Sequence, residues 1–172
     1  MKYKIIKSYS DFFVSFFLLI FISPIFLAIS ILILISMGWP IFFIQKRPGY
    51  KGKIFNLIKF RTMKLENHKS LKSLPENLRI SKLGRLLRET SLDELPELIN
   101  ILKGEMSFIG PRPLLTEYLP LYTIEQSRRH LVKPGLSGWA QINGRNSISW
   151  NKKFKLDTWY VDNQTFILDV KI

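Results

Sequence analysis

The 172-residue chain has no cysteine, only two histidines, and half as many acidic as basic side chains, 13 against 26. Without cysteine there is no disulfide framework, thiolate nucleophile or cysteine-based zinc site. With only His68 and His130, a multi-histidine metal cage is excluded as well. The shortage of acid leaves a formal net charge of +13. Yet 47% of residues are hydrophobic, which a disordered basic tail would lack.

Charge is also absent over one long stretch. Phe12 to Gln45 contains no Lys, Arg, Asp, Glu or His. This apolar block is longer than the ~18 residues that signal membrane insertion. A signal peptide has an apolar region of only ~7–15 residues and a small-residue cleavage site, and none precedes Gly38-Trp39-Pro40. A buried soluble helix fits more poorly still, because almost every face is apolar. Lys2, Lys4 and Lys7 precede the block, and Lys46, Arg47, Lys51 and Lys53 come after it. Positive residues favour the cytoplasmic side, so a simple span puts three lysines on the unfavourable side. Pro24 removes a backbone hydrogen bond mid-block, and Ser23 is placed to bond back to a carbonyl of the preceding turn. A helix that bends at Ser23-Pro24 and returns satisfies both sets of charges; an ordinary bitopic helix that tolerates its proline stays open.

Residues 46–90 carry 13 Lys or Arg against Glu66, Glu76 and Glu89, which supplies +10 of the +13. Lys46 to Lys53 reads as a basic turn with Pro48-Gly49 and Gly52 as breakers. Ile54 to Met63 has strand or helix character, and residues 64–79 are polar. Leu83, Leu86 and Leu87 alternate with Lys82, Arg85 and Arg88, an amphipathic basic helix suited to an anionic membrane face. Nucleic acid is not expected as a partner, since no helix-turn-helix, zinc-finger or aromatic RNA-binding pattern accompanies the charge. Membrane lipids and phosphates are.

The few acids are informative. Thr90 to Gly104 reads as a helix start, body and stop, with Gly104 at the position after the last turn. Either Ser91 caps the helix with Glu94 in a capping box, or Pro96 stands at the helix start and the chain before it turns. Both place Asp93 and Glu94 at a helix N-terminus, where backbone amides favour anions. Acids there usually only stabilise the helix. Beside Arg88, Arg112 and the basic stretch, however, two adjacent carboxylates suit metal-assisted phosphoryl transfer, one as nucleophile and one as metal ligand or base.

Pro111-Arg112-Pro113 restricts the backbone on both sides of a guanidinium, a planar fork suited to a diphosphate. Asn143-Gly144 predicts a hairpin turn near Trp139–Asn143, with Arg145 just beyond as a surface charge or a second phosphate contact. The tail from Trp150 to Ile172 mixes lysines with Trp159, Tyr160 and Phe166, as in interfacial packing.

Six motifs stand one after another in order. They are the apolar block with Ser23-Pro24, Lys46-Arg47-Pro48-Gly49, Lys59-Phe60-Arg61-Thr62-Met63, Arg88 to Pro96 containing Asp93-Glu94, Pro111-Arg112-Pro113, and Gly135 to Gln141. Their order strongly resembles the bacterial sugar transferases, the monotopic phosphoglycosyl transferases, over nearly the whole chain. The chain looks like the minimal form of that family, and among minimal members it is most similar to the initiating enzymes of bacterial N-linked protein glycosylation. Family members often continue past the point matching Ile172, so a truncated C-terminus is one reading.

The resemblance implies a mainly helical α+β protein. Residues 1–45 would form a re-entrant membrane anchor, and residues 46–172 a cytosolic interfacial catalytic domain with amphipathic helices and a short β-hairpin. It implies location at the bacterial inner membrane with both termini cytoplasmic. It implies transfer of a phospho-sugar from a UDP-sugar to undecaprenyl phosphate, with Mg²⁺, release of UMP and a ping-pong route through an aspartyl phosphosugar. Carried over by position, Asp93 is the nucleophile, and Glu94 binds Mg²⁺ or helps deprotonate the acceptor, with Asp93 beside it at the metal. Arg88 and Arg112 hold phosphates, helped by Lys59 and Arg145, and Ser23 and Pro24 set the membrane bend. Downstream glycosyltransferases are implied partners. N-acetylated hexosamines, diacetylbacillosamine, galactose and glucose all fit as the sugar. A rival from another class is a non-catalytic membrane adaptor that binds anionic lipid through its basic face.

Overall fold

A computed structural model describes residues 2–64, 79–144 and 147–172. Most of the polar stretch at residues 64–79, and Arg145, lie outside the described residues.

The apolar block forms helix α1 (Lys2–Met37), 36 residues with Pro24 inside. The chain stays helical through Ser23-Pro24. As expected, the Ser23 hydroxyl bonds back to the preceding turn, donating to the Ile20 carbonyl at 2.8 Å. At ~1.5 Å per residue the helix is about 54 Å long, well over the ~30 Å of a bilayer's hydrocarbon core. One side of α1 is covered from end to end. Leu19 and Ile22 pack against Phe55, Leu57, Leu98, Ile101 and Met106. Phe26, Ile29, Ile33 and Met37 pack against Phe60 and Leu87. The other side is bare and apolar, with Phe21 81% and Ile35 78% exposed.

After α1 come β1 (Phe42–Pro48) and β2 (Ile54–Phe60), an antiparallel hairpin in the register Phe42↔Phe60 to Pro48↔Ile54. Its turn carries Lys51 and Gly52 at positive φ. Alternation puts Phe42 and Phe60 against Phe26 of α1, with ring centroids 4.8–5.9 Å apart. This hairpin, not one near Trp139–Asn143, is the short β-hairpin of the fold. There the chain forms a helical turn instead, α5 (Trp139–Ile142). The preceding strand β4 (Gly135–Ser137) pairs in parallel with β3 (Ser107–Ile109), and Asn143 Nδ2 donates to the Trp139 carbonyl at 2.8 Å, which ends the helix rather than reversing a strand.

Helix α2 (Lys82–Glu89) starts at Ser81, whose hydroxyl accepts from the Gly84 amide at 2.8 Å. Leu83 and Leu87 of its apolar stripe pack into the protein with Phe60 and Ile33, and Leu86 stays 55% exposed. Gly84 lets α2 press against β2's continuation, since a Cβ there would stand 1.9 Å from the Thr62 carbonyl oxygen. The chain then turns through Leu92–Glu94, with Ser91 at φ 58 and no side-chain cap, and enters α3 (Glu97–Leu102) from Pro96. Of the two openings compatible with the sequence, the one with proline at the helix start is realised. Gly104 closes the helix at φ 74, as its position suggests. The chain continues through α4 (Ile124–Ser127), α6 (Trp150–Asp162) and α7 (Phe166–Lys171). Among the described residues the protein is thus mainly helical, with two two-stranded sheets.

Candidate active site

Asp93 and Glu94 sit in the Leu92–Glu94 turn between α2 and α3. Four elements close around them. Lys59 comes from β2, Arg88 from the last turn of α2, Arg112 from the loop after β3, and Glu97 from the first turn of α3. What fixes their relative positions is Asn100, which is wholly buried. Its side chain accepts from the Ile58 amide at 3.0 Å and donates to the Asn56 carbonyl at 2.7 Å, clipping α3 to the strand that carries Lys59.

Lys59 Nζ lies 2.6 Å from Glu94 Oε1 and 3.0 Å from Glu97 Oε1. Arg112 Nη2 donates to the same Glu94 oxygen at 2.5 Å. Arg88 Nε donates to Thr62 Oγ1 at 2.9 Å, and its positive charge acts on Asp93. Among the described residues, no side chain hydrogen-bonds the Asp93 carboxylate. Lys59, Arg88, Asp93, Glu94 and Arg112 line one cleft of about 1300 Å³, whose wall also includes Trp150 and Phe154.

The environment separates the two adjacent acids. Burial raises Asp93 above the usual carboxylate range, against the pull of Lys59 and Arg88. Burial also acts to raise Glu94, but Arg112 and Lys59 outweigh it and hold that carboxyl below its ordinary value. Glu97 is the most enclosed of the three, and burial pushes it up to about 7 despite Lys59.

That shift makes stability depend on pH. A carboxyl at about 7 in the folded protein against the ordinary value of 4.5 contributes stability that is complete below pH 4.5 and lost as pH rises through 7. The loss is about 3 kcal/mol at roughly 1.4 kcal/mol per pH unit. The melting temperature of the detergent-solubilised protein is therefore expected to fall from pH 5 to pH 8. Glu97→Gln should flatten that slope; an unchanged slope would contradict the assignment.

The loop carrying Arg112 is held from behind by two more arginines. Arg129 Nη2 donates to the Arg112 carbonyl at 2.7 Å and Arg47 Nη1 to the Pro113 carbonyl at 3.2 Å. Arg129 is itself paired with Asp157, both nearly fully buried, through bonds of 2.8 and 3.1 Å to one carboxylate oxygen.

The structure thus brings together Asp93, Glu94, Lys59, Arg88 and Arg112, while Arg145 lies outside the described residues. Glu97, Asn100, Arg129 and Asp157 emerge only from the fold. Glu97 carries a signal in the sequence, since it lies one helical turn beyond Glu94. Asn100 reads as an ordinary helix residue, and the Arg129–Asp157 pair joins positions 28 apart that no local pattern links.

Among the described residues no group of three His, Cys, Asp or Glu side chains could hold a metal. The donor set still suits Mg²⁺, which takes one or two carboxylates and completes its shell with phosphate oxygens and water. Asp93 offers an uncommitted carboxylate, and both ion pairs of Glu94 fall on Oε1.

Residues 2–172 match the family model described as bacterial sugar transferase. The chain belongs to this family, and it is an enzyme, a phosphoglycosyl transferase. It is 55% identical over 168 residues to the sugar transferase EpsL of Bacillus subtilis, covering 98% of this chain and 83% of that one. It is 37% identical over 171 residues to the exopolysaccharide production protein ExoY of Sinorhizobium fredii, covering 90% of this chain and 76% of that one. To the UDP-glucose:undecaprenyl-phosphate glucose-1-phosphate transferase of Escherichia coli it is 38% identical over 179 residues, covering 98% of this chain but 39% of that longer protein.

Proposed function

We propose that the protein transfers a phospho-sugar from a UDP-sugar to undecaprenyl phosphate by a ping-pong route through Asp93. The observation that carries this reading is the pairing of two adjacent carboxylates with opposite surroundings. Glu94 is locked by Lys59 and Arg112, whereas among the described residues no side chain hydrogen-bonds Asp93 in the same cationic cleft. An Asp93 oxygen attacks the β-phosphorus of the donor, forming an acyl phosphate as the bond to the bridging oxygen breaks and UMP leaves with that electron pair. An oxygen of the acceptor phosphate then attacks the same phosphorus, and the Asp93 carboxylate departs. Arg88 and Arg112 neutralise the diphosphate as it approaches, and Lys59 holds Glu94 in place. Asp93 and Glu94 would hold Mg²⁺, which supplies charge neutralisation at the phosphates when bound. An ionised carboxylate carries no proton on its attacking oxygen, so the first step needs no base.

We further propose that residues 1–45 anchor the transferase, residues 46–172, to one face of the inner membrane, with a re-entrant bend at Ser23-Pro24. Support comes from what α1 touches. Near its start, Lys133 Nζ donates to Ser8 Oγ at 2.7 Å, and Tyr3 and Lys7 both bond to Asp169. Near its end, Ile33 and Met37 pack with Phe60 and Leu87. Both ends of α1 therefore meet the same body of protein, which supports a helix whose two ends lie on one face of the membrane.

The test is UMP release from a panel of UDP-sugars by detergent-solubilised protein, with and without undecaprenyl phosphate and Mg²⁺. The expected result is Mg²⁺-dependent release that exceeds one equivalent only when the lipid is present. No release from N-acetylhexosamine, diacetylbacillosamine, galactose and glucose donors would overturn the reading.

A further inference from the structure

Glu97 is 3% exposed and has no task in the transfer chemistry. Among the described residues Lys59 is its one ion-pair partner, with Nζ 3.0 Å from Glu97 Oε1. Such a pair adds little net stability, since apolar residues of similar volume often replace a buried ion pair without loss. The charge of Glu97 therefore needs another reason, and its neighbours supply one. The same Nζ lies 2.6 Å from Glu94 Oε1. One ammonium is thus shared between an acid that lines the cleft and an acid shut away from solvent.

Glu94 in turn carries two cations on one oxygen, Lys59 at 2.6 Å and Arg112 Nη2 at 2.5 Å. A divalent cation that takes Glu94 as a ligand has to compete with both, because unit charges this close interact strongly in a partly enclosed site. Arg112 has no second carboxylate among the described residues, and its loop is pinned through the Arg112 and Pro113 carbonyls. Lys59 differs. Its ammonium turns freely on a flexible stem, and a second carboxylate already touches it.

We infer that Glu97 takes over the Lys59 ammonium when a divalent cation binds Glu94. Glu97 is then a positioning residue, which acts by drawing Lys59 off the metal ligand. This rests on the reading that Asp93 and Glu94 hold the cation. No covalent bond changes; one ammonium that has two acceptors keeps the buried one and gives up the other.

The test is Mn²⁺ binding by the full chain in detergent at pH 8, with no substrate present, read from the electron paramagnetic resonance of the free ion. That pH lies above the value of about 7 to which burial pushes Glu97, so the acid is ionised. Glu97→Gln removes the charge, and Glu97→Asp keeps it but shortens its reach by a methylene. Both are expected to bind Mn²⁺ about tenfold more weakly, a coupling within the range for residues in contact. Lys59→Met lacks the competitor and should bind Mn²⁺ at least as tightly as the wild type. In that background Glu97→Gln should change the affinity by less than about twofold. Wild-type affinity in Glu97→Asp would overturn the inference, because charge at a distance would then suffice. So would unchanged affinity in Glu97→Gln, an equal loss in the Lys59→Met background, or weaker binding in Lys59→Met itself. Should a Glu97 variant fail to fold, Lys59→Met decides by the same criterion. Glu94→Gln, expected to abolish binding, separates the two ideas. If it does so while the Glu97 variants bind as the wild type does, only the role of Glu97 falls. Binding that survives Glu94→Gln, or none in the wild type, removes the cation site and this inference with it.

Discussion

Asp93→Asn is expected to abolish turnover while leaving the protein folded and in the membrane fraction. The substitution is isosteric and exchanges the attacking oxygen for an amide that does not form an acyl phosphate. Losses on removing a covalent nucleophile run to the order of 10⁴-fold or more. The change breaks no side-chain hydrogen bond among the described residues, and it removes a charge that burial disfavours. The melting temperature should therefore hold or rise slightly, which sets catalysis apart from stability. The measurements are UMP release and mass spectrometry for a phosphosugar adduct, expected in the wild type after incubation with donor alone and absent in the variant. Activity above a tenth of the wild type in Asp93→Asn would end the assignment.

The second large effect is expected away from the reacting atoms. Asp157→Ala leaves Arg129 charged, buried and unpaired, at a cost of about 3–5 kcal/mol. That is a sizeable share of the roughly 5–15 kcal/mol that holds a domain together. The informative variant is the double replacement Arg129→Met with Asp157→Leu. Apolar residues of similar size in place of a buried ion pair are often neutral or stabilising, so thermal stability should return. Activity should not, because the Arg112 carbonyl has lost its donor and the loop that presents the guanidinium to Glu94 is no longer fixed from behind. If turnover recovers with stability, the pair is only structural and the loop needs no support from Arg129.

How far the sequence leads is clear from these residues. The apolar helix, the basic amphipathic helix α2, the helix stop at Gly104 and the carboxylate pair are all legible in local periodicity and capping. Arg112 is legible because a proline constrains the backbone on each side of it, and Arg88 as a basic position of the amphipathic helix beside the two acids. Lys59 emerges only through resemblance, since its partners Glu94 and Glu97 are 35 and 38 positions away and meet it through the clip made by Asn100. The hairpin expected near Trp139 fails for a related cause. Asn143-Gly144 is a good turn, but the preceding strand β4 pairs with β3 and not with the residues beyond Gly144. The real hairpin lies where Pro48-Gly49 and Gly52 read as breakers, between two runs whose alternation is masked by aromatic residues on both faces. Turn chemistry marks where a chain can reverse; pairing across the fold decides whether it does.

The packing of α1 has a bearing on how this chain is made. Helix α1 leaves the ribosome before every residue that covers its inner side, and Asp169, which ties down Tyr3 and Lys7, follows them by 166 and 162 positions. Until then Ile29 and Ile33 lack the Phe60 and Leu87 side chains they pack against. With α1 in the membrane as proposed, lipid would cover Ile29 and Ile33 until the later residues fold onto them. Cutting the chain after residue 45 would not release a soluble enzyme. It would strip Phe60 and Leu87 of the helix they pack against and leave an apolar trough open to water.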